Sequence, residues 1–330
     1  MMITVLMGMT LFVGILSISV GSVNIGMLNV VKIMLGMDVG NPVYSSIVLD
    51  IRFPRLLAAV IGGAALSVSG LLLQIFFRNP IVEPYVLGIS SGASLFVGVA
   101  IMGGYRFGLS GIGPLYLFLG AFAGAMLVMI AVCCAAKKVH HITTLLIIGV
   151  MAGFICSAGT SMLTSFADKE QIANYVTWTL GSFSGFSWMQ VKFLFFLNAP
   201  ILIAVFLLSK PLNAMLFGEN YALSMGLNIK RFRMAIIVIA SILTAGITAF
   251  AGPISFIGLA VPHIVRILFH SSDNRVLIPA VIVLGALMTA VCDFCARMLL
   301  SPVELPLSAI TSLIGAPIVI YLLVTKRSEL

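Results

Sequence analysis

The chain has 330 residues, of which 61% are hydrophobic and 8% charged, and its formal net charge is +8. A water-facing surface needs about 25% charged residues, so a soluble globular domain is excluded and lipid must solvate most of this surface. The basic surplus lies mainly in short loops between apolar runs, with no Lys and Arg run interleaved with aromatics. That pattern excludes a nucleic-acid groove and fits loop anchoring at a membrane face.

A bilayer core of about 30 Å needs about 20 apolar residues per helix. The first 20 residues are apolar, with no Lys or Arg ahead of them and no small-x-small cleavage site, so Met1–Val20 reads as a retained first span rather than a signal peptide. Further runs cover 55–77, 84–102, 115–136, 142–166, 192–209, 234–251, 276–298 and 306–324, with a shorter one at 254–269. Ten spans are expected, and the fold class is an all-α polytopic membrane protein, read as one domain over 1–330. Backbone groups in hydrocarbon must be satisfied internally, so these runs are helices or are shielded by protein.

Ten spans put both termini on one side. With that side cytoplasmic, the inner positives are Arg78, Lys137, Lys138, Lys210, Lys230, Arg231, Arg233, Arg275, Lys326 and Arg327. The outer set is smaller: Lys32, Arg52, Arg55, Arg106, Lys169, Lys192 and Arg297, alongside Asp38, Asp50, Asp168, Glu170 and Glu304. The bias gives the orientation. Residues 21–54 form a long outer connection with patches suited to an interfacial helix. Residues 210–233 form a long inner connection, read as a short amphipathic helix, a turn at Gly226 and a basic entry to the next span. A loop of that length is commonly a binding element.

Two stretches break the helical pattern. Asn79-Pro80-Ile81-Val82-Glu83-Pro84 precedes Leu87-Gly88-Ile89-Ser90-Ser91-Gly92-Ala93. Later, Gly252-Pro253 and Pro262 interrupt a span, and Glu304-Leu305-Pro306-Leu307 opens the last one. Pro removes a backbone donor and Gly permits a bend. Residues 83–93 and 304–316 echo each other, the kind of paired interruption that transporters with repeated bundles show.

Candidate chemistry is sparse. Cys292-Asp-Phe-Cys295 lies within a span and reads as packing residues rather than a redox or zinc motif, and the five cysteines imply no disulfide framework. His263 has no second His or carboxylate at ligand spacing, and His140 and His141 read as loop residues, so no metal site is expected. Ser90-Ser91-Gly92 resembles a nucleophile turn only loosely, and no paired-Asp or Ser–His constellation accompanies it. No Gly-x-x-x-x-Gly-Lys-[Ser/Thr] occurs, so ATP hydrolysis would have to come from a separate subunit. No cofactor is expected. Glu83 and Asp293 are the acidic residues nearest mid-helix. Asp293 sits four residues before Arg297 and reads as a helix-surface ion pair, which leaves an ion-gradient-driven secondary transporter as the alternative without a convincing relay. Arg52, Arg55 and Arg297, at the outer ends of spans, read as exposed guanidiniums suited either to carboxylates on a partner or to headgroups.

Taken in order, the motifs resemble the FecCD-type permeases, the membrane subunits of type II ABC importers for iron siderophores, haem and vitamin B12. They are Arg52-Phe53-Pro54-Arg55-Leu56, Gly70-x-x-x-Gln74, Asn79-Pro80-x-x-Glu83-Pro84-x-x-Leu87-Gly88-x-x-Ser91-Gly92-Ala93 and Leu216-x-Gly218-Glu219-x-x-Ala222-x-x-x-Gly226. Gly252-Pro253-Ile254-x-Phe256-Ile257-Gly258-Leu259-x-x-Pro262-His263-x-x-Arg266, Glu304-Leu305-Pro306 and Gly315-Ala316-Pro317 complete the set.

The resemblance implies ten helices per subunit in the bacterial cytoplasmic membrane and a homodimer with the pathway at its two-fold axis. It also implies two cytoplasmic ATP-binding subunits and a periplasmic or lipid-anchored substrate-binding protein. Carried over by position, Arg52, Arg55 and Arg297 would dock that protein. Leu216, Gly218, Glu219, Ala222 and Gly226 would form the coupling segment on the ATPase, with the small residues permitting close approach and Glu219 offering an acceptor. Asn79, Ile81, Thr143 and Thr144 would lie at the cytoplasmic gate. The cargo is expected to be an iron chelate, haem or cobalamin, with iron chelates first.

Overall fold

A computed structural model describes residues 1–37, 39–103, 114–139 and 142–325. Asp38, Arg106, His140, His141, Lys326 and Arg327 lie outside the described residues. Ten apolar helices run in chain order: α1 Met2–Ser19, α2 Phe53–Phe77, α3 Ile89–Gly98, α4 Pro114–Lys138, α5 Ile142–Ser165, α6 Trp188–Leu207, α7 Ile229–Ala251, α8 Ile257–Phe269, α9 Asn274–Met298 and α10 Leu307–Thr325. Among the described residues seven are long and apolar enough to cross a bilayer, while the apolar stretches of α3, α8 and α10 are shorter. The protein is a multi-pass membrane protein. "Outer" and "inner" below follow the orientation that the loop charges give.

Burial sorts the helices. The apolar window of α2 is 78% buried and those of α7 and α9 are 67% buried, whereas α5 and α6 reach 22%. α2 is therefore the central post, packed against α9, α7 and α8. Lipid tails are as apolar as Leu, so helix association here relies on close packing and hydrogen bonds rather than on escape from water. The sequence of α2 supplies both. A Cβ on Gly63 would stand 2.2 Å from the Gly285 carbonyl oxygen of α9, and one on Gly70 would stand 1.9 Å from that of Gly258 in α8. Between these contacts, Ser67 Oγ donates to the Val281 carbonyl at 3.1 Å and Ser69 Oγ to that of Ala240 at 2.8 Å.

The connections are built from their own sequence signals. In the outer connection, helix Met27–Met34 buries Val30 and Ile33 beside Ile18, Ile25 and Val48, forming a small second core at the outer ends of α1 and α2. The π-helical stretch Ile47–Arg52 then runs directly into α2. The Trp188 indole at the start of α6 donates to the Leu49 carbonyl at 2.9 Å and meets Phe53 edge-on. Ser187 and Gln190 cap α6 reciprocally, and Asn228 caps α7.

The break before α8 differs from its expected form. Pro262 lies inside α8, and the interruption is confined to 252–256, where Gly252 ends α7 at φ 73 and Phe256 takes φ 67. Pro262 has no N–H to offer the Gly258 carbonyl one turn earlier, and that carbonyl accepts from Gln74 Nε2 of α2 at 3.3 Å instead. The last span opens at Leu307, as Glu304-Leu305-Pro306 suggests. Its first N–H groups bond the Gly181 and Leu180 carbonyls at 3.2 and 3.3 Å.

Candidate functional site

At the outer end, α2 and α9 each deliver an arginine to one acidic cluster. Arg55 Nε lies 3.0 and 3.1 Å from the two Asp293 oxygens, and its Nη2 lies 2.9 Å from Asp293 Oδ1. Its Nη1 donates to Glu304 Oε1 at 2.7 Å. Arg297 Nε stands 3.4 Å from Asp293 Oδ2, and its Nη2 reaches the carbonyl and hydroxyl of Ser17 in α1. One turn before Arg55, Arg52 donates to the carbonyls of Ile18 and Val23, each at 2.6 Å. Gly21 lets it pass: a Cβ there would meet Arg52 Nη2 at 2.5 Å.

The expectation of three exposed guanidiniums is therefore not met. Arg52 and Arg55 are each 8% exposed, and the Arg297 side chain 12%. Asp293 is likewise buried, not a helix-surface partner of Arg297 alone. The physical reason is that a guanidinium at the edge of hydrocarbon is costly without acceptors. The outer ends of α1, α9 and the Glu304 turn supply them. Spacing within one helix points to the i,i+4 pair, but not to the long-range carboxylate that Arg55 takes.

At mid-depth, the Gly and Pro breaks are stitched by polar side chains. The Phe256 N–H donates to Glu83 Oε2 at 3.1 Å. Gln74 in α2 reaches the Gly258 and Leu259 carbonyls at 3.3 Å each, and its own oxygen accepts from Arg266 at 2.8 Å. Glu83 satisfies an N–H that the missing helix turn leaves open, and Gln74 satisfies the Gly258 carbonyl for which Pro262 has no N–H. Gln74, Glu83 and Arg266 belong to the motifs, yet sequence reasoning gave them no joint role. The echo between 83–93 and 304–316 gives its two glutamates unlike partners, a backbone N–H for Glu83 and Arg55 for Glu304. Among the described residues no group of three or more His, Cys, Asp or Glu could hold a metal ion.

The inner segment folds as two short helices, Ser209–Leu216 and Glu219–Ser224, joined at Gly218 with φ 116; Gly226 follows at φ 82. Both glycines occupy left-handed backbone, which explains their spacing in the motif. Two assigned features differ from expectation. Ala222 is fully buried, and Glu219 is ion-paired with Arg233 at the base of α7. The small residue therefore packs the hairpin against its own bundle, and the carboxylate is already engaged. What the hairpin presents instead is apolar: Leu216, Phe217, Tyr221, Leu223 and Met225 are between 45% and 76% exposed. The available signal was an apolar cluster within a polar inner loop.

Of the gate candidates, Asn79 folds its side chain onto the Ile81 N–H at 3.0 Å, and Ile81 is exposed. Thr143 and Thr144 are exposed on the first turn of α5. Both pairs lie at the inner side, and no hydrogen bond joins them among the described residues.

Interrupted spans, a buried outer ion cluster and a protruding inner hairpin define a helical membrane permease. The chain matches the FecCD transport family over residues 9–325. It is 33% identical to the hemin transport system permease protein HmuU of Yersinia pestis, covering 94% of this chain and 93% of that one. It is 37% identical to the vitamin B12 import system permease protein BtuC of Vibrio parahaemolyticus, covering 93% of each. Its fold matches an inward-facing structure of a transporter assigned to the metal-chelate ABC type, with a TM-score of 0.86 and 28% identity over 98% of this chain and 99% of that one. This chain belongs to the FecCD transport family.

Proposed function

We propose that the chain is the membrane subunit of an ATP-driven importer of the bacterial cytoplasmic membrane. In this reading it works as a homodimer around a two-fold pathway for an iron chelate, haem or cobalamin. The observation that carries it is the end-to-end similarity to hemin and vitamin B12 permeases. Two cytoplasmic ATP-binding subunits grip the 209–226 hairpin, with Phe217, Tyr221 and Met225 as the contact and Gly218 and Gly226 setting its shape. Glu219 and Ala222 hold that shape from behind. Asn79, Ile81, Thr143 and Thr144 line the inner gate.

A binding protein delivers the cargo at the outer face. Docking through Arg52, Arg55 and Arg297 requires them to trade internal acceptors for acidic groups of the partner. Exchange at Glu304, whose side chain is 42% exposed, is the least costly, because one carboxylate replaces another. An ion-gradient carrier would need a mid-helix carboxylate free to titrate; Asp293 is already held by Arg55 and Arg297, and Glu83 lies in the break between α2 and α3 rather than within a helix. The test is uptake of hemin, cyanocobalamin and a ferric hydroxamate into proteoliposomes holding this chain with its genomic-neighbour ATPase and binding protein. ATP-dependent uptake of one of them supports the reading. Uptake by this chain alone overturns it.

A further inference from the structure

A cavity of about 350 Å³ lies between α3 and α5, and the outer helix Lys169–Thr179 closes its top. Its walls carry the hydroxyls of Tyr85, Ser90, Ser94, Ser157, Thr160 and Tyr175, and no charged side chain lines it. So many hydroxyls in a wall at membrane depth call for an explanation. Part of it is local: Thr160 donates back to the Cys156 carbonyl, the usual way a helix shields a hydroxyl in hydrocarbon.

The inner wall is different. Ser90 is 4% exposed and its Oγ has no hydrogen-bond partner; the buried Tyr85 Oη has none either. Tyr85 Oη stands beside the Ser90 hydroxyl and the Ile254 backbone. Buried unpaired hydroxyls carry a cost that a ligand can remove. The cavity opens past Ser157 and Ser161 on the exposed face of α5.

From this cavity we infer a waypoint for cargo whose periphery carries uncharged oxygen acceptors, amide or hydroxamate, rather than carboxylates. The inference rests on the importer reading above. Thr160 is committed to Cys156 and Tyr175 pairs with Ser94, which leaves the hydroxyls of Tyr85, Ser90 and Ser157 to donate to a carbonyl-type oxygen. A carboxylate entering the same space would be desolvated with no cation among the lining residues. The volume suits one edge of such a molecule, so the cavity grips a flank of the cargo in transit.

The test compares cyanocobalamin, rich in amides, a ferric hydroxamate and hemin, which carries two carboxylates, in the reconstituted importer complex. Tyr85→Phe with Ser90→Ala should raise the uptake KM for the transported amide or hydroxamate probe about tenfold, the loss of two neutral hydrogen bonds, with less change in the maximal rate. Ser157→Leu, which fills the mouth from an exposed position and leaves the buried wall intact, should lower uptake of the same probe. It guards against a folding defect in the double variant. An unchanged KM in both variants overturns the waypoint and leaves the importer reading standing. Hemin as the preferred cargo, with the same sensitivity to Tyr85 and Ser90, overturns the selection for uncharged acceptors. Absence of uptake of all three probes by the unsubstituted complex overturns the importer reading, and the waypoint falls with it.

Discussion

Asn213 in the inner hairpin holds the first residue of α9, Asn274, by two hydrogen bonds. Its Oδ1 accepts from the Asn274 backbone N–H at 2.8 Å and from Asn274 Nδ2 at 2.7 Å. Its Nδ2 donates to Asp273 Oδ1 at 2.6 Å. α9 has 25 residues, about 37 Å of helix, and Asp293 and Arg297 lie near its far end. The hairpin proposed to meet the ATPase is thus tied to the same rigid element that carries the outer ion cluster.

Asn213→Ala removes all three bonds and leaves the buried Asn274 amide unpaired, an expected cost of about 1–3 kcal/mol at this joint. In the proposed importer, uptake per ATP hydrolysed should fall while hydrolysis itself persists. The ratio of transport to phosphate release in proteoliposomes measures this. An unchanged ratio would show that the joint does not transmit the stroke.

Arg55→Ala leaves Asp293 buried with only the longer contact to Arg297. A destabilisation of about 3–5 kcal/mol is expected from the uncompensated charge. Pairing Arg55→Met with Asp293→Leu should recover only part of it, because Arg297 then loses its carboxylate. Melting of the purified protein in nanodiscs gives both values. Equal losses in the single and double variants would mean that the pair contributes nothing beyond packing.

Gly70→Ala places a methyl against the Gly258 backbone, which cannot swing aside as a side chain could. The helices must separate, at an expected cost of about 1–3 kcal/mol. Gly8→Ala, on the open face of α1 with nothing within 4 Å of the new Cβ, should leave melting unchanged or raise it slightly.

Phe217→Ser and Met225→Ser remove exposed apolar surface, so melting of the isolated chain should barely move. Affinity for the ATPase subunit should fall at least about tenfold, as for anchors at the centre of an interface. Ala222→Leu should do the reverse to the fold, since Ala222 is fully buried. Pull-down titration against melting separates the two effects.

Asp273 titrates below its ordinary range, chiefly because its carboxylate accepts the Arg275 N–H, with Asn213 adding to the effect. A group whose folded value is depressed contributes stability above its unfolded value and loses it as pH falls through the folded one. The start of α9 should therefore loosen in acid, seen as faster amide exchange at 274–277. Asp273→Asn should flatten that dependence.

The ten helices were legible because hydrocarbon imposes length and apolarity on every span, and each expected run is found as a helix within a few residues. The breaks at 79–88 and 252–256 were also legible, since Gly and Pro act locally. Pro262 was misread as a second break because its tolerance depends on another helix: Gln74 of α2 donates to the Gly258 carbonyl, for which Pro262 has no N–H. The turn at Gly226 was legible for the same local reason, whereas the bend at Gly218, the inward turn of Ala222 and the pairing of Glu219 with Arg233 were not.

The amino-acid sequence by itself determined that this chain lives in lipid, which stretches form its apolar helices, and where those helices are interrupted, because those properties follow from a few consecutive side chains meeting one solvent. Only the tertiary structure decided which partners the charges take. Arg55 and Asp293 are 238 residues apart, and nothing in either neighbourhood specifies the other. Their meeting depends on α2 and α9 approaching glycine to glycine until the two side chains share one dry space.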